Sequence, residues 1–342
     1  MVRDGRQSRG GMRAVIFSGY AALSAALVLM ALRFLPTQTW VPAAQLVTFF
    51  PIALPLTLAS LILLLLARSQ WPAVTAAAAA VIMIATISLR VVDQTAGAGG
   101  DEAGSEGSGE TLRVAAFNAY FGRADAASLT RTAQAFELDL LCVSEATPAF
   151  VAALEKAGLS TALPSVVSAA EEGASGTVLF SRMPIREIGE VPGAQFRMPR
   201  GAVETGTGDV TVTCAHPVPP TFRATASWSP GVPGWARELR ALRDVTASTD
   251  GPQIVMGDFN ATWDHRLLRR IATRSGMVSA TNVTGRGLTP TWPVIDGPLP
   301  VPFAAIDHVL TDLPVLASDL IEIPGSDHRM VTATLRLSPS QP

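Results

Sequence analysis

Three apolar runs, each close to the length of a membrane span, fill the first quarter of the chain and restrict what it can become. They cover residues 14–32, 44–67 and 72–89, the last extending to about residue 92. A helix needs about 20 apolar residues to cross a bilayer, and all three runs come near that. Pro51 and Pro55 inside the second run would break a soluble helix but are tolerated in a membrane helix. A cleaved signal peptide is the competing reading of the first run. No small-x-small site follows it, however, and two more runs come close behind. Residues 1–94 therefore read as a membrane anchor of three transmembrane helices.

Charge sets the expected orientation. Arg3, Arg6, Arg9 and Arg13 precede the first run, the segment PTQTWVPAAQ leading to the second has no basic residue, and Arg68 lies between the second and third. Arg90, at the far end of the third run, dissents. By the positive-inside rule the N-terminus is cytoplasmic and everything after the third run is extracytoplasmic. Residues 95–110, TAGAGGDEAGSEGSGE, cannot bury a core and read as a flexible acidic linker.

Residues 111–342 have the composition of a globular domain. The chain carries 26 basic and 28 acidic residues; up to Gly109 the balance is 7 − 5 = +2, and beyond it 19 − 23 = −4. A domain built mainly to grip nucleic acid is usually basic, and this one is not. Two cysteines, Cys142 and Cys214, sit in apolar strand-like runs. They read as small buried hydrophobes, with a disulfide open to them outside the cytoplasm. Strand-like runs alternate with amphipathic helical stretches, which predicts an α/β domain with sheets between helical layers, long enough for two packed sheets. Helices are predicted over 125–136, 147–157, 235–248 and 264–275. Strands are predicted at LRVAAFNAY, LDLLCVSEA, residues 176–181, VTVTCAHP, PQIVMGDFN, AAIDHVLTD and MVTATLRL.

The chemistry lies at strand ends. Asn118, Glu145, His216, Asp258 with Asn260, Asp307 with His308, and Asp327 with His328 each sit at the end of an apolar run. Carboxylates and amide oxygens are hard ligands suited to Mg²⁺ or Mn²⁺, and histidines exchange protons near neutral pH. Together they suit metal-assisted hydrolysis of a phosphate ester. No serine or cysteine occupies a nucleophile elbow, and no GxxxxGK[ST] loop is present.

The order AAFNAY, LLCVSEA, GTVLFSR, TCAHP, GDFN, IDHV and SDHR resembles the endonuclease/exonuclease/phosphatase superfamily over residues 111 to about 337. That group includes DNase I-like nucleases, sphingomyelinases and inositol phosphatases. The resemblance implies a two-sheet α/β sandwich with a Mg²⁺ site. It makes Glu145 the principal metal ligand, positioned by Asn118, with Asp327 also on the metal side. It makes Asp258 the residue that orients or deprotonates water, with Asn260 beside it on the phosphate. His216 would stabilise a phosphate oxygen or protonate the leaving group. His328 would be the second phosphate-binding histidine or base, its tautomer fixed by Asp307. Arg182, Thr289 and Trp292 match substrate-side segments. His308 reads as structural, His265 as a surface residue, and residues 217–234 as a Pro-rich loop beside His216.

Three functions remain open on sequence alone: a phosphodiesterase or phosphatase acting on nucleic acid, lipid head groups or another phosphoester; a silent membrane-bound binding module; and a transporter fragment. The intact polar set opposes the second, and the absence of ionisable residues well inside the apolar runs opposes the third. No feature predicts a protein partner.

Overall fold

The computed structural model describes residues 4–36, 38–97, 110–221, 231–294 and 301–337, with backbone alone over 4–10 and 91–97. The chain divides into two compact units, Met1–Arg90 and Val91–Pro342.

The first unit is helical: α1 (Asp4–Phe34), α2 (Ala43–Val47), α3 (Ala53–Leu66) and α4 (Gln70–Gly97). Two stretches, Gly11–Phe34 and Gln70–Arg90, are long and apolar enough to cross a membrane. The expectation of three such helices is corrected at the second run. That run is split into α2, a 3-10 turn at Phe50–Ile52 and α3, leaving a shorter apolar helix, Phe50–Leu66. Pro51 in the turn has no N–H to donate, so the helix starts afresh beyond it.

α3 packs antiparallel to α1. The Ser60 hydroxyl donates to the Gly19 carbonyl at 2.8 Å, while Phe50 and Ala53 cluster with Ala26. A Cβ on Gly19 would lie 2.9 Å from Leu64, so the glycine permits the close approach. α4 returns parallel to α1: Ala73 and Ala76 pack with Leu23, and Ala79 and Met83 with Leu29 and Met30.

The second unit alternates strands and helices. Its elements are β1 (Thr111–Asn118), α5 (Ala126–Ala135), β2 (Leu140–Ser144), α6 (Pro148–Lys156), α7 (Leu159–Ala162), β3 (Ser165–Ala169) and β4 (Thr177–Ser181). Then come β5 (Ile185–Glu190), β6 (Pro199–Thr205), β7 (Gly208–Ala215), α8 (Gly231–Ala247), β8 (Gln253–Asp258) and α9 (Arg266–Arg274). The last are β9 (Val278–Ser279), α10 (Ala280–Val283), β10 (Asp307–Thr311), β11 (Val315–Glu322) and β12 (Arg329–Arg336). Two six-stranded sheets result, in the orders β11-β12-β1-β2-β4-β3 and β5-β6-β7-β8-β10-β9.

Each sheet is built around one parallel pair joined through a helix, β1-α5-β2 in the first and β7-α8-β8 in the second. The apolar runs are continuous because these strands are covered on both faces. Val114, Ala116, Leu140 and Cys142 face Val212, Cys214, Ile254 and Met256 across the sandwich. Alternate residues Ala115, Phe117, Leu141 and Val143 face outward onto Leu129 of α5 and Phe150 and Leu154 of α6. Cys142 and Cys214, read from sequence chiefly as buried hydrophobes, are joined as a disulfide through this core with Cα atoms 5.7 Å apart.

The predicted helices and strands all form, within a few residues of their expected ends. Strands β3, β5, β6, β9 and β11 carry no clear sequence signal. β5 and β11 are half-exposed and polar, and β6 opens on Pro199 and Gly201. The expected linker lies, over 98–109, outside the described residues, as does 222–230 of the Pro-rich loop.

Candidate active site

Strand direction brings the polar residues to one rim. Asn118 ends β1, Glu145 follows β2, His216 follows β7 and Asp258 ends β8. β10 runs antiparallel to β8, so Asp307 at its start pairs in register with Asp258. β12 runs antiparallel to β1 and likewise starts at this rim, just after Asp327 and His328.

Asn118 is the hub. Its Nδ2 donates to Glu145 Oε1 and to Asp258 Oδ2, both at 3.1 Å, so one amide ties a carboxylate of each sheet. Its own Oδ1 accepts from the Tyr120 N–H at 2.9 Å. Glu145 Oε2 accepts from the Phe121 N–H at 2.7 Å. The ends of β1, β2 and β8 are strained: Tyr120, Phe121, Glu145 and Asn260 all have φ between +48° and +55°. Non-glycine residues hold such angles at a cost of about 1–3 kcal/mol each, and they cluster at functional sites. Gly257, before Asp258, has φ +146°, and a Cβ there would collide with the Ala215 carbonyl of β7. Only glycine lets β8 deliver Asp258 so close to His216.

The second centre is a buried His–Asp pair. His328 Nδ1 lies 2.9 Å from Asp307 Oδ2. Its Nε2 points into the site, 3.8 Å from both Asp258 Oδ2 and Asp327 Oδ1. Burial alone would lower the His328 pKa. Asp307, then Asp258 and Asp327, outweigh it and push it up to about 10, so His328 is an imidazolium at neutral pH. Burial and the adjacent Asp307 push Asp258 up to about 7. His216 goes the other way. Enclosed among apolar groups and near the His328 charge, it is pushed down to about 3 and is neutral. Its Nε2 lies 3.9 Å from Asp258 Oδ2, and Phe196 packs on its ring with centroids 5.0 Å apart. Glu145 is raised by burial, against the hydrogen bonds from Asn118 and Phe121.

Four carboxylates around one imidazolium leave excess negative charge, and two of their buried oxygens, Asp307 Oδ1 and Asp327 Oδ1, have no hydrogen-bond partner among the described residues. Such a donor set fits a divalent cation. Asp258, Asp307 and His328 offer atoms within 4.8 Å of one another. In that trio, though, His328 is protonated and already bonded to Asp307. Asp327, whose Oδ1 has no hydrogen-bond partner among the described residues, and Glu145, close enough for the Asp327 charge to raise its pKa, would be the better cation ligands. Asp327 Oδ2 accepts from Trp292 Nε1 at 3.1 Å, which orients Oδ1 inward.

Of the residues expected from sequence, Asn118, Glu145, His216, Asp258, Asp307, Asp327 and His328 thus share one rim, with Trp292 beside them. Asn260 holds the loop: its N–H donates to Asp258 Oδ1 at 2.8 Å and its Nδ2 to the Pro217 carbonyl at 3.0 Å. Arg182 does not belong. β4 runs antiparallel to β2, so Arg182 lies at the opposite end of the sheet, bonded to the Leu138 carbonyl and paired with Asp139. Among the described residues Thr289 makes a local turn bond to Arg286; Thr291 instead accepts from the Ile306 and Asp307 N–H groups. His308 is structural, bonded to the Ala261 carbonyl and packed on Phe259. His265 is not on the surface: it is buried at the position before α9, its Nδ1 accepts from the Thr262 N–H at 3.0 Å, and it packs edge-on against Trp235.

Sequence reasoning missed Ser326. Its hydroxyl donates to the Asn118 carbonyl at 2.7 Å and accepts from the His328 N–H at 3.0 Å, joining the two centres. The only signal was its place ahead of Asp327-His328.

Comparison with known proteins agrees with this architecture. Among curated proteins no match is found. The structure of D. rerio TDP2 complexed with single-strand DNA product is similar at TM-score 0.51 and 15% identity, covering 67% of this chain and 100% of that one. An AP endonuclease from Archaeoglobus fulgidus is similar at TM-score 0.50 and 15% identity, covering 66% of this chain and 100% of its own. At such identity these likenesses speak for the fold alone. The sequence model of the Endonuclease/Exonuclease/phosphatase family matches residues 115–328, from within β1 through His328. With that span and the two-sheet sandwich, the chain belongs to the endonuclease/exonuclease/phosphatase family of phosphoester hydrolases.

Proposed function

We propose that this chain is a membrane-anchored phosphodiesterase that hydrolyses a phosphate diester with activated water and a divalent cation, Mg²⁺ or Mn²⁺. The observation that carries the reading is the meeting at one rim of the His328–Asp307 pair, Asp258 and the Asn118–Glu145 pair.

Glu145 and Asp327 would hold the cation, which when bound would supply charge to neutralise the phosphate. Asp258, with a pKa about 7, takes the proton of the attacking water at neutral pH. Asn118 fixes its carboxylate, and the Asn260 N–H holds its other oxygen. The His328 imidazolium presents an Nε2 proton to the phosphate oxygens or the departing oxygen, and Asp307 fixes the ring's orientation and stabilises its charge. His216, neutral at working pH, donates a hydrogen bond rather than a proton.

The helical unit supports anchoring. In its up-down-up packing, Arg6, Arg9, Arg13 and Arg68 fall at one end, while among the described residues Arg33 and Arg90, both against Phe50, fall at the other. Three crossings would place the hydrolase domain outside the cytoplasm. The core Cys142–Cys214 disulfide fits that compartment. Phe50–Leu66 is short, at the lower limit of about 17 residues for a span.

The test is hydrolysis by the full chain in nanodiscs, with and without Mg²⁺. Substrates are single-stranded DNA, duplex DNA, phospholipid, a bis-aryl phosphate diester and an aryl phosphate monoester. Metal-dependent cleavage of a diester is expected, lost in Asp258→Ala and His328→Ala. Activity kept by both variants overturns the mechanism, and preference for the monoester reassigns the enzyme as a phosphatase. Protease added to intact cells should remove the domain if it lies outside.

A further inference from the structure

Glu238 is a fully buried carboxylate on α8 with no place in the chemistry above. It sits in the second turn of the helix and faces inward. Its Oε1 accepts from the Gln195 N–H and its Oε2 from the Val218 N–H, both at 2.9 Å. Burial raises its pKa, against the two hydrogen bonds that favour the charged form. Burying a carboxylate costs several kcal/mol unless its partners repay it, so the position calls for a reason.

Its partners supply one. Val218 shares a peptide group with Pro217, directly after His216. The carbonyl of that peptide accepts from Asn260 Nδ2 at 3.0 Å, and its N–H is held by Glu238. The peptide is therefore gripped on both sides. Gln195 adjoins Phe196, whose buried ring packs on the His216 imidazole. The same loop is tied from the other side by Arg197, which bonds to Glu190 and, at 2.6 Å, to Glu171. Glu238 thus joins the segment that carries His216 to the loop that covers its ring.

We propose that Glu238 is a positioning residue for His216, fixing the imidazole against Asp258 from both its backbone and its apolar face. This rests on His216 being part of a phosphodiesterase site, as proposed above. The acceptor must offer two oxygens to two N–H groups. An amide offers one, and turns an N–H₂ donor against the other.

The test is Glu238→Gln in the full chain, read in two ways. The first is the ¹⁵N and ¹H signals of the His216 ring in histidine-labelled protein. The chain has four histidines, so His216→Ala assigns the signal. The second is steady-state hydrolysis of the diester the wild type cleaves best. A displaced His216 signal with the other three unmoved is expected, together with kcat about tenfold lower and KM within twofold. Phe196→Leu, which loosens the ring from the opposite side, should move the same signal and lower kcat alike. An unmoved His216 signal overturns the proposal, as does a moved signal with unchanged kcat. If Glu238→Gln does not fold, Phe196→Leu decides by the same two readings. The ring signals need no activity. A wild type inactive on every phosphoester would therefore sink the functional reading while the placement of His216 is still judged.

Discussion

Replacing Asp307 by asparagine keeps the shape of the His328 pair and removes its charge. The Asn Oδ1 still accepts from His328 Nδ1, so the ring stays in place. What is lost is the carboxylate 2.9 Å from a buried imidazolium, the nearest of three; Asp258 and Asp327 stand 3.8 Å from Nε2. The step from the usual 6.5 to about 10 amounts to about 5 kcal/mol in favour of the charged ring, at roughly 1.4 kcal/mol per pH unit. If Asp307 supplies about half of that, the variant forfeits about 2–3 kcal/mol. The basic limb of kcat/KM then falls by about two pH units. Asp258, relieved of its charged neighbour, loses part of its elevation, so the acid limb moves down too. The assay is a pH–rate profile from pH 5 to 10.5 at saturating Mg²⁺, with thermal melts to confirm folding. Above both basic limbs the two enzymes should differ by roughly a hundredfold, with the gap closing towards pH 6. A basic limb displaced by less than half a pH unit would refute the assignment of His328 as the working imidazolium.

Further outcomes follow from the same geometry. Glu145→Gln should abolish the rise in melting temperature expected of the wild type with Mg²⁺ or Mn²⁺, since it removes a proposed cation ligand; an undiminished rise would move the cation elsewhere. His216 is depressed from 6.5 to about 3, so its contribution to stability is complete above pH 6.5 and is lost as pH falls through 3. Urea melts of wild type and His216→Asn at pH 7 and pH 5 should show the wild type losing about 2 kcal/mol more than the variant. Arg182→Ala should leave kcat and KM within twofold and cost at most about 1 kcal/mol, because its ion pair is half-exposed and at the wrong end of the sheet.

Much of the site was legible because its residues end apolar strands, and the order of short motifs named the architecture. GDFN, IDHV and SDHR mark three chain segments that the sheets bring to one rim. Legibility failed where meaning depends on strand direction or on distant partners. Arg182 follows an apolar strand just as Glu145 does, but β4 runs the other way and carries it to the far end. His265 sits among polar letters yet is enclosed by Trp235, which comes from α8. Thr291 and Ser326 act through bonds to backbone groups far away in sequence, a relation no local pattern records. β5 and β11 owe their existence to neighbours that offer them an edge, since their own alternation is weak.

The division of labour between the two sheets has a temporal meaning. One layer brings Asn118 and Glu145 and leads out of Asp327 and His328; the other brings His216, Asp258 and Asp307. Neither half owns both the acid side and the base side of the reaction. On the proposed chemistry, a nascent chain stays harmless to surrounding phosphoesters until the layers close on each other, and turnover certifies complete assembly. A compound that wedged between the layers would silence the enzyme without ever meeting its substrate.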